Sequence, residues 1–374
     1  MPDRLVLVTG GAGLIGSHLT DLLVAEGRKV RLLDNLEPQT HGAGRPAWIN
    51  PKAQFVEGDL RDAATLRAAL DGVDTVFHLA AYGGYMPEIA KFVEVNSLGT
   101  ARLLETIRDC NVPIRKVVVA SSQAVYIEGS VRCREHGLQH PPRRSDAAMA
   151  AGHFRVPCPI CGEPADSAPT PESAPTGGET VYALTKVDQE RLTLSWSRQV
   201  GIPAVALRFA CTYGPRQSMF NPYTGVIAVF CSRLVNGLPP VLYEDGEQTR
   251  DLTYVSDIAT ACLRAADEDR WDGRAVNIGT GRPTSVRRLA RLLAELLEVG
   301  VEPETPGAYR PGEMRALTPD VGVARAAGYQ AAVRLEEGLE RYVSWLRAQG
   351  PVTELFTESF ARLRRHQVIH QVAS

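Results

Sequence analysis

The first strand-like run of the chain ends in a glycine-rich turn that opens an amphipathic helix. RLVLVTG is rich in β-branched residues and leucine, and the SHLTDLLVAEG run after the turn has apolar residues at helical spacing up to Gly27. Within TGGAGLIG, Gly11, Gly13 and Gly16 fit G-x-G-x-x-G, while Gly10, Gly13 and Gly16 fit G-x-x-G-x-x-G. Glycines allow a tight turn in which amides at a helix N-terminus approach a phosphate. The pattern predicts a dinucleotide-binding unit; a glycine turn without a ligand is the alternative.

Further strand-like and helical runs alternate along the first half of the chain. KVRLLDN, TVFHLAA and KVVVASS are typical of strands, and LGTARLLETIRDC is typical of a helix between them. This alternation predicts an α/β fold with a Rossmann-type, doubly wound parallel sheet and a smaller, discontinuous α/β substrate-binding domain. We expect an NAD-binding domain at 1–127, continued by 180–209 and 249–278, a Cys/His insertion at 128–179, and a substrate domain at 210–248 and 279–374.

An acidic residue ends the second predicted strand. Asp34 lies eighteen residues beyond Gly16, where a carboxylate can accept hydrogen bonds from ribose hydroxyls and would repel a 2′-phosphate. NAD is therefore favoured over NADP. Asp59 of EGDLRD is a candidate for contact with the adenine, although an acidic loop residue is more often only solvated.

A serine pair and a tyrosine–lysine pair form the second constellation. SSQAVY (Ser121 to Tyr126) follows a predicted strand, and Tyr182 and Lys186 of YALTK lie on one face of a predicted helix. An ammonium there can stabilise a phenolate, and lowering a tyrosine pKa by about three units corresponds to about 4 kcal/mol. Y-x-x-x-K alone occurs often by chance, but its combination with the glycine turn and the serine pair indicates an oxidoreductase-type site.

Composition excludes several classes of partner. The 374 residues carry 41 basic and 43 acidic side chains, a net charge of -2, so no broad cationic field favours nucleic acid. No apolar run approaches the roughly 20 residues that span a membrane. The start MPDRLVLVTG lacks a signal-peptide pattern, and seven cysteines, four of them isolated, do not suggest a disulfide framework. We expect a cytoplasmic protein.

Cysteines and a histidine cluster in the predicted insertion. CREH and CPIC supply Cys133, His136, Cys158 and Cys161, the Cys₃His ligand set of a closed, structural zinc site. Four protein ligands leave no open position, so the metal would hold the insertion together rather than perform chemistry. The alternative is a set of free thiols and histidines in an exposed loop. His140 and His153 are the spare candidates for the histidine ligand.

Taken together, these motifs resemble the extended short-chain dehydrogenase/reductase family, in particular its nucleotide-sugar epimerases and dehydratases. The resemblance covers nearly the whole chain and includes TGGAGLIG, EGDLRD, SSQAVY, YALTK, LRFACTYGPRQ, VNIGTG and YRPGEMR in the family's order. It implies that Tyr182 is the catalytic base, that Lys186 tunes it and holds the nicotinamide ribose, and that Ser122 binds the reacting sugar oxygen.

The resemblance also implies the binding residues. Those for tightly bound NAD are Gly10, Gly13, Leu14, Ile15, Gly16, Asp34, Asn35, Asp59, Leu60, Leu79, Ala80, Ala81 and Asn96, with Tyr182 and Lys186. Those for a nucleotide-diphosphate sugar are Ser122, Gln123, Arg250 and Arg310, the two arginines clasping the diphosphate. Ordinary ion pairing is the alternative role for each arginine.

The residues after the catalytic serine favour one reaction of the family. Related dehydratases and decarboxylases place acidic residues directly after the strand-end Ser or Thr, where this chain has Gln123 and Ala124. Without that acid, elimination has no obvious proton donor. The expected reaction is therefore C4 epimerisation through a 4-keto sugar, with a dehydratase or keto-sugar reductase as alternatives. A non-catalytic dinucleotide sensor is the alternative of another class.

Several features bear on the type of family member. A similar Cys/His insertion and the NPYTG stretch (Asn221 to Gly225) make the chain look most like dTDP-L-rhamnose 4-epimerase-type members. Cys211 replaces an asparagine that is usual near the sugar, which can change substrate recognition. Tyr82 and Tyr85 either shape the pocket or pack in the core. The family resemblance further implies a homodimer, and the insertion's position suggests a lid over the sugar.

Overall fold

The computed structural model describes residues 5–42, 44–84, 88–221 and 225–373. In these residues the strands are β1 (Leu5–Thr9), β2 (Lys29–Asp34), β3 (Gln54–Glu57), β4 (Val73–His78), β5 (Lys116–Ser122), β6 (Val131–Cys133), β7 (Gly137–Gln139), β8 (Asp166–Ser167), β9 (Ala204–Phe209), β10 (Cys211–Tyr213), β11 (Thr249–Tyr254), β12 (Ala275–Ile278), β13 (Pro283–Ser285), β14 (Ala308–Tyr309), β15 (Ala316–Leu317) and β16 (His370–Gln371).

The helices of the same residues are α1 (Leu14–Ala25), α2 (Pro38–His41), α3 (Ala63–Leu70), α4 (Ile89–Phe92), α5 (Gly99–Asp109), α6 (Asp146–Ala150), α7 (Val181–Val200), α8 (Val226–Val235), α9 (Val255–Asp267), α10 (Val286–Leu297), α11 (Gly322–Ala326), α12 (Leu335–Arg347) and α13 (Phe356–Arg365). A π-helical stretch, Val93–Leu98, joins α4 to α5, and a 3₁₀ turn, Gln123–Val125, follows β5. None of these helices is long and apolar enough to cross a membrane.

The large sheet confirms the predicted Rossmann-type fold. Its order is β12-β9-β5-β4-β1-β2-β3, and every pairing is parallel. Runs such as VVVAS in β5 and AVALRF in β9 are fully buried because helices cover both faces of the sheet. The order reverses between β1 and β4, which opens a crevice at the carboxyl ends of these strands.

A second sheet faces this crevice. It has the order β10-β11-β13, and β15 also pairs with β11. The sheet packs with α8, α10 and α12 around a separate apolar cluster. We expected Thr249–Tyr254 to continue the large sheet, but this strand lies in the second one. Its first half, TRD, is polar, and such residues do not fit a strand that is covered on both faces. The apolar β12 takes the edge of the large sheet, and α9 packs on α1.

The insertion forms a small antiparallel sheet of its own. β6 pairs with both β7 and β8, and α6 follows β7. The returning chain is tied to the rest of the molecule, since Thr170 N donates to Thr318 O and Asn277 Nδ2 donates to Thr170 O.

Candidate active site

A cavity of about 600 Å³ lies between the carboxyl ends of the large sheet and the second sheet. One end is lined by the glycine turn, the middle by the end of β5 and the first turns of α7, and the other end by Tyr243, Arg310, Phe356 and Leu363. The glycine turn, the serine strand and the tyrosine helix therefore share one cavity.

Two glycines of the turn are required by its geometry. Gly10 has φ +67°, a left-handed conformation that favours glycine. A Cβ on Gly16 would lie 2.2 Å from the Gly10 carbonyl oxygen. Gly13 is the N-cap of α1 and has no side-chain cap, so the first amides of the helix remain available to an anion. Gly10, Gly13, Leu14, Ile15 and Gly16 all line the cavity.

Three polar residues predicted to bind the adenosine half of NAD lie at adjacent strand ends. The carboxylate of Asp34 accepts from Ala12 N and from Leu36 N, both at 2.9 Å, so it also fixes the glycine turn. Asn35 Nδ2 donates to Asp59 Oδ2 at 3.0 Å. Hydrogen bonds from Arg61 are the main reason that the pKa of Asp59 falls to about 2. Asp59 therefore stays ionised and is held by Arg61.

The remaining predicted cofactor residues divide into two groups. Leu79 and Ala81 line the cavity, and a Cβ on Gly10 would lie 2.8 Å from Ala80 Cα, so this loop lies directly against the glycine turn. Leu60 is buried in the core instead. Asn96 is fully buried, accepts from Tyr82 N at 2.7 Å and donates to Tyr82 O and Thr185 Oγ1. Its amide thus links the loop after β4 to α7.

The predicted catalytic residues meet in the middle of the cavity. Thr180 caps α7, accepting from Ala183 N, and this places Tyr182 in the first turn and Lys186 in the next. Burial raises the pKa of Tyr182 to about 12, and a hydrogen bond with Ser122 offsets part of that shift. Burial lowers the pKa of Lys186 to about 7; its Nζ donates to Ala120 O at 2.8 Å and lies 6.0 Å from the centroid of the Tyr182 ring.

Gln123 and Cys211 form a pair beside this centre. Gln123 is buried, and its Nε2 donates to Cys211 Sγ at 3.0 Å. Burial raises the pKa of Cys211 to about 11, so the group is a neutral thiol. Gln123 Oε1 is buried without a hydrogen-bond partner among the described residues. Both residues line the cavity, and sequence reasoning did not connect them.

The two predicted diphosphate ligands also meet, through a residue that the sequence analysis did not single out. Glu313 pairs with Arg250 through one carboxylate oxygen and with Arg310 through the other, the latter at 2.8 Å. All three line the cavity. The YRPGEMR motif contains Glu313, and its acidic residue was the available signal.

Of the two aromatic candidates, Tyr82 packs in the core. Its ring is edge-on to Phe92 at 4.9 Å, and its hydroxyl donates to Gln39 Oε1. Tyr82 does not line the cavity. Tyr85 lies outside the described residues, as does the middle of the NPYTG stretch.

The four predicted metal ligands converge in the insertion. The ligand atoms of Cys133, His136, Cys158 and Cys161 all lie within 4.8 Å of one another. Cys133 Sγ is 3.8 Å from Cys161 Sγ and 3.6 Å from His136 Nδ1, which is 3.7 Å from Cys158 Sγ. Of the spare histidines, His140 hydrogen-bonds Ser130 Oγ and His153 is exposed.

Comparison with known proteins places this fold and cavity in a family. A sequence profile of the NAD dependent epimerase/dehydratase family matches residues 6–146 and 158–279. A dTDP-L-rhamnose 4-epimerase of Burkholderia thailandensis is 33% identical over 350 residues, which cover 91% of this chain and 94% of that protein.

Solved structures agree. A UDP-glucose 4-epimerase of Thermotoga maritima with UDP-glucose is 29% identical with a TM-score of 0.74, covering 92% of this chain and 99% of its own. A UDP-glucose 4-epimerase of Thermus thermophilus with NAD is 28% identical with a TM-score of 0.70, and the match covers 92% of this chain and 100% of that one. The chain therefore belongs to the NAD-dependent epimerase/dehydratase family, which confirms the family expected from the sequence.

Proposed function

We propose that this protein is an isomerase that epimerises a nucleoside-diphosphate hexose at C4 through a 4-keto sugar, using NAD that stays bound. The observation that carries the proposal is the meeting of Ser122, Tyr182 and Lys186 in one cavity with the glycine turn, while Gln123 and Ala124 stand where an eliminating enzyme needs an acid. The relatives named above are 4-epimerases, which supports the same reaction here.

Each catalytic residue has a defined task in this reaction. Tyr182 takes the proton from O4, and Ser122 donates a hydrogen bond to the same oxygen. Bound NAD supplies a hydride acceptor that also returns the hydride, so the net redox change is zero. Lys186, fixed by the Ala120 carbonyl, provides positive charge near the Tyr182 ring. That charge favours the phenolate, which burial alone disfavours.

The glycine turn and the adjacent strand ends would hold NAD. The free amides at the start of α1 suit the pyrophosphate, and Asp34 at the end of β2 suits the ribose hydroxyls. Gly10, Gly13, Leu14 and Ile15 reach the cavity, and the loop with Leu79 and Ala81 lies beside them.

The opposite end of the cavity would hold the nucleotide sugar. Arg250 and Arg310 are suited to bind a diphosphate. Gln123 Oε1, which has no partner among the described residues, could accept a hydrogen bond from a sugar hydroxyl. The named relatives act on dTDP- and UDP-linked sugars, so a dTDP-6-deoxyhexose is the first substrate to test and UDP-hexoses are the second.

We further propose that the insertion binds one structural zinc ion through Cys133, His136, Cys158 and Cys161. Sulfur donors at about 2.3 Å and a nitrogen donor at about 2.0 Å from a tetrahedral zinc lie roughly 3.5–3.8 Å apart. Three of the six separations between these atoms, 3.6, 3.7 and 3.8 Å, match this geometry, and all six are within 4.8 Å. Zinc would occupy a closed site and take no part in the reaction.

The test is proton NMR of the purified protein with dTDP- and UDP-hexoses in D₂O, without added cofactor. A C4 epimer that keeps its hydrogen at C4 and gains no deuterium supports internal hydride return. Deuterium at C5 or a 6-deoxy-4-keto product would indicate a dehydratase, and a requirement for added NADPH would indicate a reductase.

Variants make this test specific. Tyr182→Phe is expected to retain NAD and lose turnover, because the proton acceptor is removed while the glycine turn is intact. Tyr82→Phe is the matched control, since its hydroxyl contacts Gln39 away from the cavity. NAD binding without turnover in the unaltered protein would favour the sensor alternative.

A further inference from the structure

A buried ion network connects the insertion to the second sheet. Arg144 lies in the insertion, and only 3% of its side chain is exposed. Its guanidinium forms two hydrogen bonds with the Glu244 carboxylate, at 2.9 and 2.8 Å, and its Nε lies 3.4 Å from Glu128 Oε2. Such a bidentate, desolvated pair fixes both partners in position and orientation.

The same arginine holds the segment that follows Arg310. Arg144 Nη2 donates to the Glu313 carbonyl oxygen at 2.6 Å. Two residues later, Arg315 N donates to Glu128 Oε1 at 2.8 Å, and its side chain donates to Glu244 Oε2 at 2.9 Å. Residues 313–315 are therefore held at one end by Arg144 and at the other by Glu128 and Glu244, which Arg144 also contacts.

Glu313 passes this constraint into the cavity. Its backbone is held by Arg144, while its carboxylate bridges Arg250 and Arg310. Two guanidinium groups repel one another, and a carboxylate between them fixes their separation and direction. Among the described residues, the ion pairs of this network join four cations to four anions: Arg144, Arg250, Arg310 and Arg315 to Glu128, Glu244, Asp245 and Glu313.

Nearly all of the insertion, 128–179, stays outside the cavity. Residues 128–178 are all described, and none of them lines it; only Glu179 and Thr180, at the return to α7, do so. These contacts therefore do not support the lid that the insertion's place in the sequence suggested.

We propose that Arg144 and Glu313 are positioning residues for the substrate diphosphate: the insertion acts as a buttress that sets the geometry of Arg250 and Arg310 without touching the ligand. This rests on the proposed function, because it takes these two arginines as diphosphate ligands. It gives the insertion a role in substrate affinity as well as in stability.

The test is calorimetry with the NAD-loaded protein. The four nucleoside diphosphates dTDP, UDP, GDP and ADP are compared first, and the one that binds most tightly is then used together with its nucleoside. Arg144→Lys keeps the charge and loses the fork, and Glu313→Gln loses the bridge. Each is expected to raise the Kd of the diphosphate about tenfold, with the nucleoside affinity and the NAD content unchanged. In turnover, KM for the nucleotide sugar should rise by more than kcat falls. Arg155→Met, which removes an exposed arginine from the same insertion, is the control.

Each outcome decides the matter. The positioning role of Arg144 and Glu313 is contradicted if the variants bind the diphosphate like the unaltered protein. It is also contradicted if they lose diphosphate and nucleoside affinity equally. Binding does not require turnover, so an unaltered protein that binds a nucleoside diphosphate but converts no sugar contradicts the epimerase alone. If the unaltered protein binds none of the four diphosphates, both proposals fall.

Discussion

At the scale of the residue, the surroundings of Tyr182, the proposed catalytic base, work against its ionised form. Burial raises its pKa to about 12, and the hydrogen bond with Ser122 acts in the opposite direction. Ser122→Ala should therefore raise the pKa further. The ascending limb of the profile of kcat/KM against pH is expected to move to higher pH by about one unit, and the rate at pH 7 to fall about 100-fold.

The neighbouring serine provides the control. Ser121 donates to Glu190 at 2.7 Å, within a buried pair with Arg208, so Ser121→Ala should reduce stability and leave the pH profile in place. A Ser122→Ala profile that keeps its midpoint while the rate falls would show that Ser122 acts on the sugar alone.

The sequence predicted some site residues and missed others for a physical reason. Tyr182 and Lys186 share one helix face, and Ser122 ends a strand, so these three residues can be recognised from local sequence patterns. Glu313 and Arg250 are 63 residues apart, and Gln123 and Cys211 are 88 apart. Pairs of this kind depend on how the two sheets meet across the crevice, which no local pattern encodes.

At the scale of the element, we predict that the three cysteines and the histidine stabilise the insertion by binding zinc. Its strands are two or three residues long, too short and polar to be recognised in the sequence, whereas four of the seven strands of the large sheet, β1, β2, β4 and β5, were predicted. We expect about one zinc per chain by elemental analysis. The double change Cys158→Ser and Cys161→Ser should remove the zinc and lower the unfolding temperature by several degrees.

The exposed Cys110 lies at the end of α5, far from this cluster in the sequence, and Cys110→Ser should keep both the zinc and the unfolding temperature. NAD content should not change in either variant, since the cofactor residues lie on the large sheet. A protein purified without zinc, or a double variant with an unchanged unfolding temperature, would contradict the structural role.

At the scale of the whole molecule, one face of the large domain remains apolar. Large side chains are exposed along α4, the π-helical stretch and α7, which contact one another: Ile89 (61%), Val93 (47%), Leu98 (42%), Leu184 (51%) and Leu192 (40%). A second copy packed on this face by a two-fold axis would bury them, so the homodimer stays our prediction.

Light scattering tests it. The unaltered protein should have the mass of a dimer, and Leu184→Lys combined with Leu192→Lys should give a monomer, because burying two like charges on each side is costly. Ile160→Lys changes an apolar residue of the insertion that is more exposed, at 61%, than either leucine, and it should leave the dimer intact. A monomeric unaltered protein would refute the prediction.

The end of the described chain closes the far wall of the cavity. Phe356 and Leu363 of α13 line it, β16 pairs with β14 directly before Arg310, and Ala373 N donates to Ala150 O in the insertion. These contacts join the last described residues to parts that lie much earlier in the sequence. During synthesis, the Rossmann half can fold and bind dinucleotide while the sugar half is still open. On the proposed function, we therefore expect the nascent protein to acquire its cofactor before it can enclose a substrate.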